Sequence, residues 1–283
     1  MSGRSDTAAP VRDDGYLRHW GLAEPPFMLD PDPRYAFARD AHREALARVL
    51  FGITQIGGLV LITGEVGAGK TLLSQALARM LDGEGIRAGV VANAPRTPAA
   101  LLGAALSAIG AESAGGSAAR RADRIRARLS MAHSQGRRVV LVVDEAQRLD
   151  ARALDELRVL TNPSGGVPGM PIVLMGQPEL GPQVGRLPQV DQRVVVRAHL
   201  GPMTADEVDD YVRHRTRVAG VDRRIVSRRA ARAAHDETGG LPRPVNMLMA
   251  SALFVAAARG EQQVSEDTIR DLADDRRAGG APA

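Results

Sequence analysis

Of the 37 basic side chains in this sequence only one is a lysine, Lys70, and it closes the stretch Gly64-Glu65-Val66-Gly67-Ala68-Gly69-Lys70-Thr71. The spacing G-x-x-x-x-G-K-T, entered from the apolar run Leu59–Ile62 and followed by a helical pattern from Leu72, is that of a phosphate-binding loop. Glycines let backbone N–H groups turn inward around an anion, and the next helix offers its positive N-terminus to the same charge. Gly64, Glu65, Val66, Gly67, Ala68, Gly69, Lys70, Thr71 and Leu72 thus form an expected cradle for β- and γ-phosphates. A compact ammonium suits the position of Lys70, where the planar fork of arginine does not. The Thr71 hydroxyl is placed to ligate Mg²⁺.

A second group lies roughly 75 residues on. The β-branched run Val139–Val143 reads as a buried parallel strand and ends in Asp144-Glu145-Ala146-Gln147. An acidic pair at a strand's carboxyl end, beside a phosphate loop, points to phosphoryl transfer: Asp144 to hold Mg²⁺ through water, Glu145 to orient and polarise the attacking water. A further buried run, Ile172–Met175, ends in Gly176-Gln177. Gln177 either caps a turn or reaches a γ-phosphate or the lytic water. Arg243 opens a helix, an unfavourable place for a cation unless an anion sits there. It is therefore a nucleotide-facing candidate.

The elements needed to hold these residues follow from pattern. Strands are expected at Leu59–Ile62, Ala88–Ala92, Val139–Val143, Ile172–Met175 and Val194–Val196. Helices are expected at Asp40–Ile53, Leu72–Leu81, Pro98–Ile109, Ala118–Ser134 and Asp150–Leu160, the last capped by Asp150. Alternation of this kind predicts an α/β domain with a five-stranded parallel sheet and ligands at the strands' carboxyl ends. From Met203 the pattern is helical only. Thr204 and Glu207 form a capping signature on a helix running to Val218, followed by a helix at Ser227–Thr238, one opened by Gly239–Asn246 and continuing to about Ala258, and one at Ser265–Asp274. The expected division is a leader at 1–15, an α/β domain with an N-terminal strap at 16–200, a small all-α lid at 201–274 and a tail at 275–283. The strap holds the only Trp and two of the three Tyr. It is expected to fill a groove beside the sheet and to border the nucleotide base.

Composition narrows the classes further. The chain has no cysteine, which excludes disulfides, thiol chemistry and cysteine-zinc sites. The N-terminus has no apolar signal segment, and no apolar run approaches the ~20 residues of a membrane helix, so a cytoplasmic location is expected. The net charge of +4 is concentrated: residues 117–138 hold seven Arg and one Asp. Arg120, Arg124 and Arg128 share one helix face, either a solvated surface or a phosphate-binding surface for nucleic acid, DNA included, or another anionic polymer.

The ordered motifs YLRHWGL, PPFMLDPDPRYAF, HREAL, GEVGAGKT, VVLVVDEAQ, ELRVLTN, IVLMGQPEL, QRVVVRAHL and GGLPRPVN span about 16–272. They resemble the AAA+ ATPases of the general secretion pathway protein A (ExeA/GspA) type, and the core is also similar to the TniB and MuB transposition ATPases. The resemblance implies ATP and Mg²⁺ as cofactors, ATP hydrolysis, nucleotide-driven homo-oligomers and active sites shared between subunits. It implies that Gln177 is the sensor-1 residue and Arg243 the sensor-2 arginine. Arg193, with Arg186 nearby, is implied as the finger that reaches a neighbour's nucleotide. Secretion members often continue into a membrane segment and a cell-wall-binding part, and here neither is expected. The implied role is assembly of a secretion or envelope-export system through a protein partner. The alternative is a DNA-binding ATPase that loads a transposase or replication-type partner.

Overall fold

The computed structural model describes residues 15–30, 32–37, 39–112 and 115–279. The expected leader, apart from residue 15, and the last four residues of the expected tail lie outside them. The chain divides into two compact units, Ala38–Pro202 on one side and Met1–Phe37 with Met203–Ala283 on the other.

The first unit is built on β1 (Leu59–Gly64), β2 (Ile86–Val91), β3 (Arg138–Val143), β4 (Ile172–Gly176) and β5 (Val194–Leu200). They form one sheet in the order β2-β3-β4-β1-β5, and every pairing is parallel. Parallel neighbours need long crossovers, and helices supply them. In chain order α2 (Asp40–Phe51), α3 (Lys70–Gly83), α4 (Pro98–Ala108), α5 (Ala118–Ser134), α6 (Ala151–Leu160), α7 (Leu180–Gly185) and α8 (Pro188–Asp191) belong to this unit, while α1 (Gly15–Trp20) belongs to the other.

Strand side chains alternate between faces, and the sequence provides both. Leu59, Leu61, Leu141, Val143, Ile172 and Leu174 pack with Leu101, Ile125 and Leu154 of α4, α5 and α6. Val60, Ile62, Val140, Val142, Val173 and Met175 pack with Val49 of α2 and Leu73 and Leu77 of α3. The three central strands are buried on both sides, which is why their sequences are continuous apolar runs. Register brings the carboxyl ends together: Thr63 pairs with Gly176 and Val143 with Leu174.

Several elements differ in extent from expectation, and for β5 and α2 the packing gives the reason. β5 runs on to Leu200 because Arg197 and His199 face outward from an edge strand, where polar residues are tolerated. α2 stops at Phe51 and passes into a π-helical turn, Gly52–Ile56. A side chain at Gly52 would meet Val196, so the helix lies close against β5 there.

The second unit joins α1 to α9 (Ala205–Val218), α10 (Arg228–Thr238), α11 (Pro242–Ala258) and α12 (Glu266–Gly279). The Thr204–Glu207 capping box is present with both reciprocal bonds. α12 continues five residues past Asp274, into what composition suggested was tail. The aromatic strap packs within this unit. Trp20 Nε1 donates to Leu253 O at 2.9 Å, and Phe27 and Tyr35 are buried with Val208, Tyr211 and Leu253. The physical reason is Arg215, only 6% exposed. Its guanidinium stacks 4.6 Å from the Tyr35 ring centre and donates to the Tyr211 hydroxyl at 2.8 Å. A cation buried on α9 needs that aromatic surround, and the strap provides it.

Candidate functional site

β1 delivers the loop to the carboxyl edge of the sheet. Gly64 passes so close to β5 that a Cβ there would lie 2.8 Å from the Leu200 carbonyl oxygen. Gly67 and Gly69 have φ of 83° and 93°, a region that only glycine enters at little cost. Lys70 begins α3 and is 7% exposed. Its Nζ donates to Gly64 O at 2.6 Å and Glu65 O at 2.9 Å. Burial pulls its pKa below the ordinary lysine value, while the charges of Glu145, Asp144, Glu65 and Glu179 push it back up. Thr71 follows on the first turn of α3, exposed.

β3 delivers the acidic pair. Asp144 is 8% exposed, and its Oδ1 accepts the Glu145 N–H at 2.8 Å. Burial raises its pKa above the ordinary aspartate value; the Glu145 N–H opposes that shift, the Glu145 charge adds to it, and Lys70 opposes it. Glu145 has φ 55°, the one positive φ at a non-glycine among the described residues. Such a conformation costs about 1–3 kcal/mol and persists where the surroundings enforce it. Here they aim a carboxylate: Glu145 Oε2 accepts from Gln147 Nε2 at 2.7 Å.

Gln147 is the residue that sequence reasoning passed over. Its Oε1 accepts the Gln177 N–H at 3.2 Å. One amide side chain thus ties the Glu145 carboxylate to the tip of β4. A Cβ on Gly176 would come within 2.6 Å of that Oε1, so glycine before Gln177 is what admits it. The DEAQ stretch held the signal, but only the fold shows what Gln147 meets. His42 was also passed over. It lies on α2 within 2.9 Å of Arg39, and its ring is 4.0 Å from where a Gly69 Cβ would be, beside the loop.

The structure therefore brings Lys70, Asp144, Glu145 and the Gln177 backbone to one edge of one sheet. Among the described residues no group of three or more His, Cys, Asp or Glu could hold a metal alone. One hydroxyl and one buried carboxylate are hard oxygen donors, a set that suits a magnesium ion whose other ligands are phosphate oxygens and water.

Arg193 does not join this group in its own chain. It is exposed, and its carbonyl accepts Leu59 N–H at 2.9 Å, so it stands at the amino end of the sheet. The loop begins five residues further along β1, about 17 Å at strand rise. Arg186 is exposed at the end of α7. Arg243 is exposed on the first turn of α11, which holds no acidic residue. Arg120 and Arg124 are exposed along α5, and Arg128 is half-buried.

An all-parallel sheet in this order, carrying a phosphate loop on one central strand and an acidic pair on another, is the AAA+ P-loop fold. Residues 54–184 match the model of the AAA domain family. It is 37% identical over 258 residues to General secretion pathway protein A of Aeromonas hydrophila, a match covering 90% of this chain and 47% of that one. The chain thus spans about half the length of the curated relative it matches. Among solved structures it resembles the Aeropyrum pernix ORC2 protein in ADPNP-ADP complexes, with a TM-score of 0.67, 22% identity and coverage of 89% of this chain and 71% of that one. It also resembles Drosophila ORC bound to DNA, with a TM-score of 0.68, 16% identity and coverage of 96% and 69%. At such identities these likenesses speak to the fold alone.

Proposed function

We propose that this chain binds ATP with Mg²⁺, hydrolyses it, and uses the cycle to drive assembly of a secretion or envelope-export system through a protein partner. The observation that carries the reading is the intact strand-tip group within a chain 37% identical, over 90% of its length, to General secretion pathway protein A. The loop from Gly64 to Leu72 holds the β- and γ-phosphates, and Lys70 neutralises them. Thr71 and Asp144 hold the metal, which supplies charge neutralisation on the phosphate oxygens when bound. Glu145 takes a hydrogen bond from the attacking water and polarises it for in-line displacement. Gln177 senses the γ-phosphate from the tip of β4, and Arg243 is the sensor-2 arginine that the family resemblance implies. Among the described residues no helix is long and apolar enough to cross a membrane, and the protein acts from the cytoplasm.

The site is shared between copies in a nucleotide-dependent homo-oligomer. Arg193 stands too far from its own loop to touch the nucleotide there, and an exposed arginine so placed serves a neighbour. Mixing tests this. Arg193→Ala retains its loop and acid pair; Glu145→Gln retains its arginine. Each alone should be inactive, and an equimolar mixture should recover ATP turnover. No recovery, or a fully active Arg193→Ala protein, would remove the finger assignment.

A second reading, a DNA-binding ATPase that loads or targets a partner, is favoured by the positive charge gathered on α5. Stimulation of turnover by duplex DNA selects it; indifference to DNA supports the export reading.

A further inference from the structure

The amino end of the sheet, opposite the nucleotide loop, carries a cleft that the site above does not use. α5, the turn after it and the starts of β2 and β3 wall a cavity of about 320 Å³. Four arginines line it: Arg87 from β2, Arg128 from α5, Arg137 from the turn and Arg138 at the start of β3. One carboxylate, Asp82, lines it with them. No ion pair among the described residues involves any of the four. Other arginines of this unit are paired: Arg126 with Asp123 on the same helix, Arg158 with Asp155, Arg197 with Asp191. Arg138 is held by a bond to Thr54 O at 2.9 Å. Arg128 Nε is shut off from solvent with no hydrogen-bond partner, a costly omission for a charged group.

Four cations brought around one hollow by β2, α5, the turn after it and β3 repel one another unless an anion joins them. We propose that this cleft binds the phosphates of a nucleic-acid backbone, with Arg120 and Arg124 continuing the contact along α5. Guanidinium forks match phosphate oxygens in pairs. Arg120, Arg124 and Arg128 recur every four residues, about 6 Å apart along the helix axis, so the charge extends from the cleft as a line. A compact anion would need the cleft alone; a polymer uses the line. No aromatic residue lines the cleft, so bases have nothing to stack on, and the contact is to backbone, independent of sequence. This site rests on the second reading above and gives it a location.

The test is fluorescence anisotropy of a labelled random-sequence DNA duplex with the full chain, over a salt series. Arg87→Ala with Arg128→Ala, and Arg137→Ala with Arg138→Ala, are compared with wild type and with Arg259→Ala, whose arginine pairs with Asp271 in the helical unit. Each double variant should bind more weakly, with a log–log salt slope lower by about 0.9 per lost phosphate contact. ATP turnover should stay at the wild-type level, which reports the fold; should a double variant fail that control, the single Arg87→Gln and Arg128→Gln variants are read instead. Duplex bound equally by wild type and cleft variants overturns the site and leaves the DNA reading standing. No duplex binding by wild type at low salt overturns both. Cleft-dependent binding of pyrophosphate, or of vesicles containing anionic lipid, without duplex binding overturns the nucleic-acid assignment.

Discussion

At Asp144 two requirements pull apart. A metal-holding carboxylate must be ionised, yet this one is buried, and burial lifts its pKa above the ordinary value of 3.8. The unfolded chain gives up that proton at lower pH than the folded one. Between the two pKa values the folded state holds the extra proton, so stability falls as pH rises through that window, and the full penalty stands at neutral pH. Asp144→Asn should therefore melt above wild type at neutral pH in EDTA, and the advantage should vanish as pH falls below the ordinary aspartate value. A variant that melts lower under those conditions contradicts the burial argument. Gln147 offers a second prediction. Its bridge from Glu145 to the Gln177 backbone aims the carboxylate, so Gln147→Leu should keep nucleotide affinity while kcat falls tenfold to about 100-fold, the scale of a misplaced catalytic group; an unchanged kcat would make the bridge idle. Lys70, Thr71, Asp144 and Glu145 were legible because their spacing is local. Gln147 and His42 were not, since each acquires its neighbours from another strand or helix.

At the scale of elements, the central strands were legible for a physical reason. Burial on both faces writes an unbroken apolar run into β1, β3 and β4. β5 was cut short, because an edge strand alternates and its outward Arg197 and His199 read as loop. What the strap packs with was not legible, because aromatic content announces burial without saying against what. The buried Arg215 on α9 supplied the answer, and a cation at that position in a sequence reads as surface. Trp20 is the strap's anchor at 1% exposure. Trp20→Ala should cost about 3–5 kcal/mol, read from urea unfolding followed by far-ultraviolet circular dichroism. A cost below about 1 kcal/mol, the size of a single hydrogen bond, would mean that the strap merely covers the helices.

At the scale of the molecule, one edge of the sheet gathers nucleotide chemistry, and the opposite edge carries Arg193 and the arginine cleft. That polarity follows from parallel topology: loops at the carboxyl ends of strands meet ligands, and the amino ends are left for other surfaces. The sequence order of motifs was enough to name the AAA+ class, but which arginines face one hollow depended on β2 and β3 lying side by side. The most direct test of the central claim is steady-state ATP hydrolysis by wild type and Glu145→Gln, with ATP binding measured on both. Wild type should turn over, and the variant should bind ATP with similar affinity yet hydrolyse it at least about 100-fold more slowly, the usual size of a general-base contribution. Hydrolysis by Glu145→Gln at the wild-type rate would contradict the account, because the tip of β3 would then not be where water is activated.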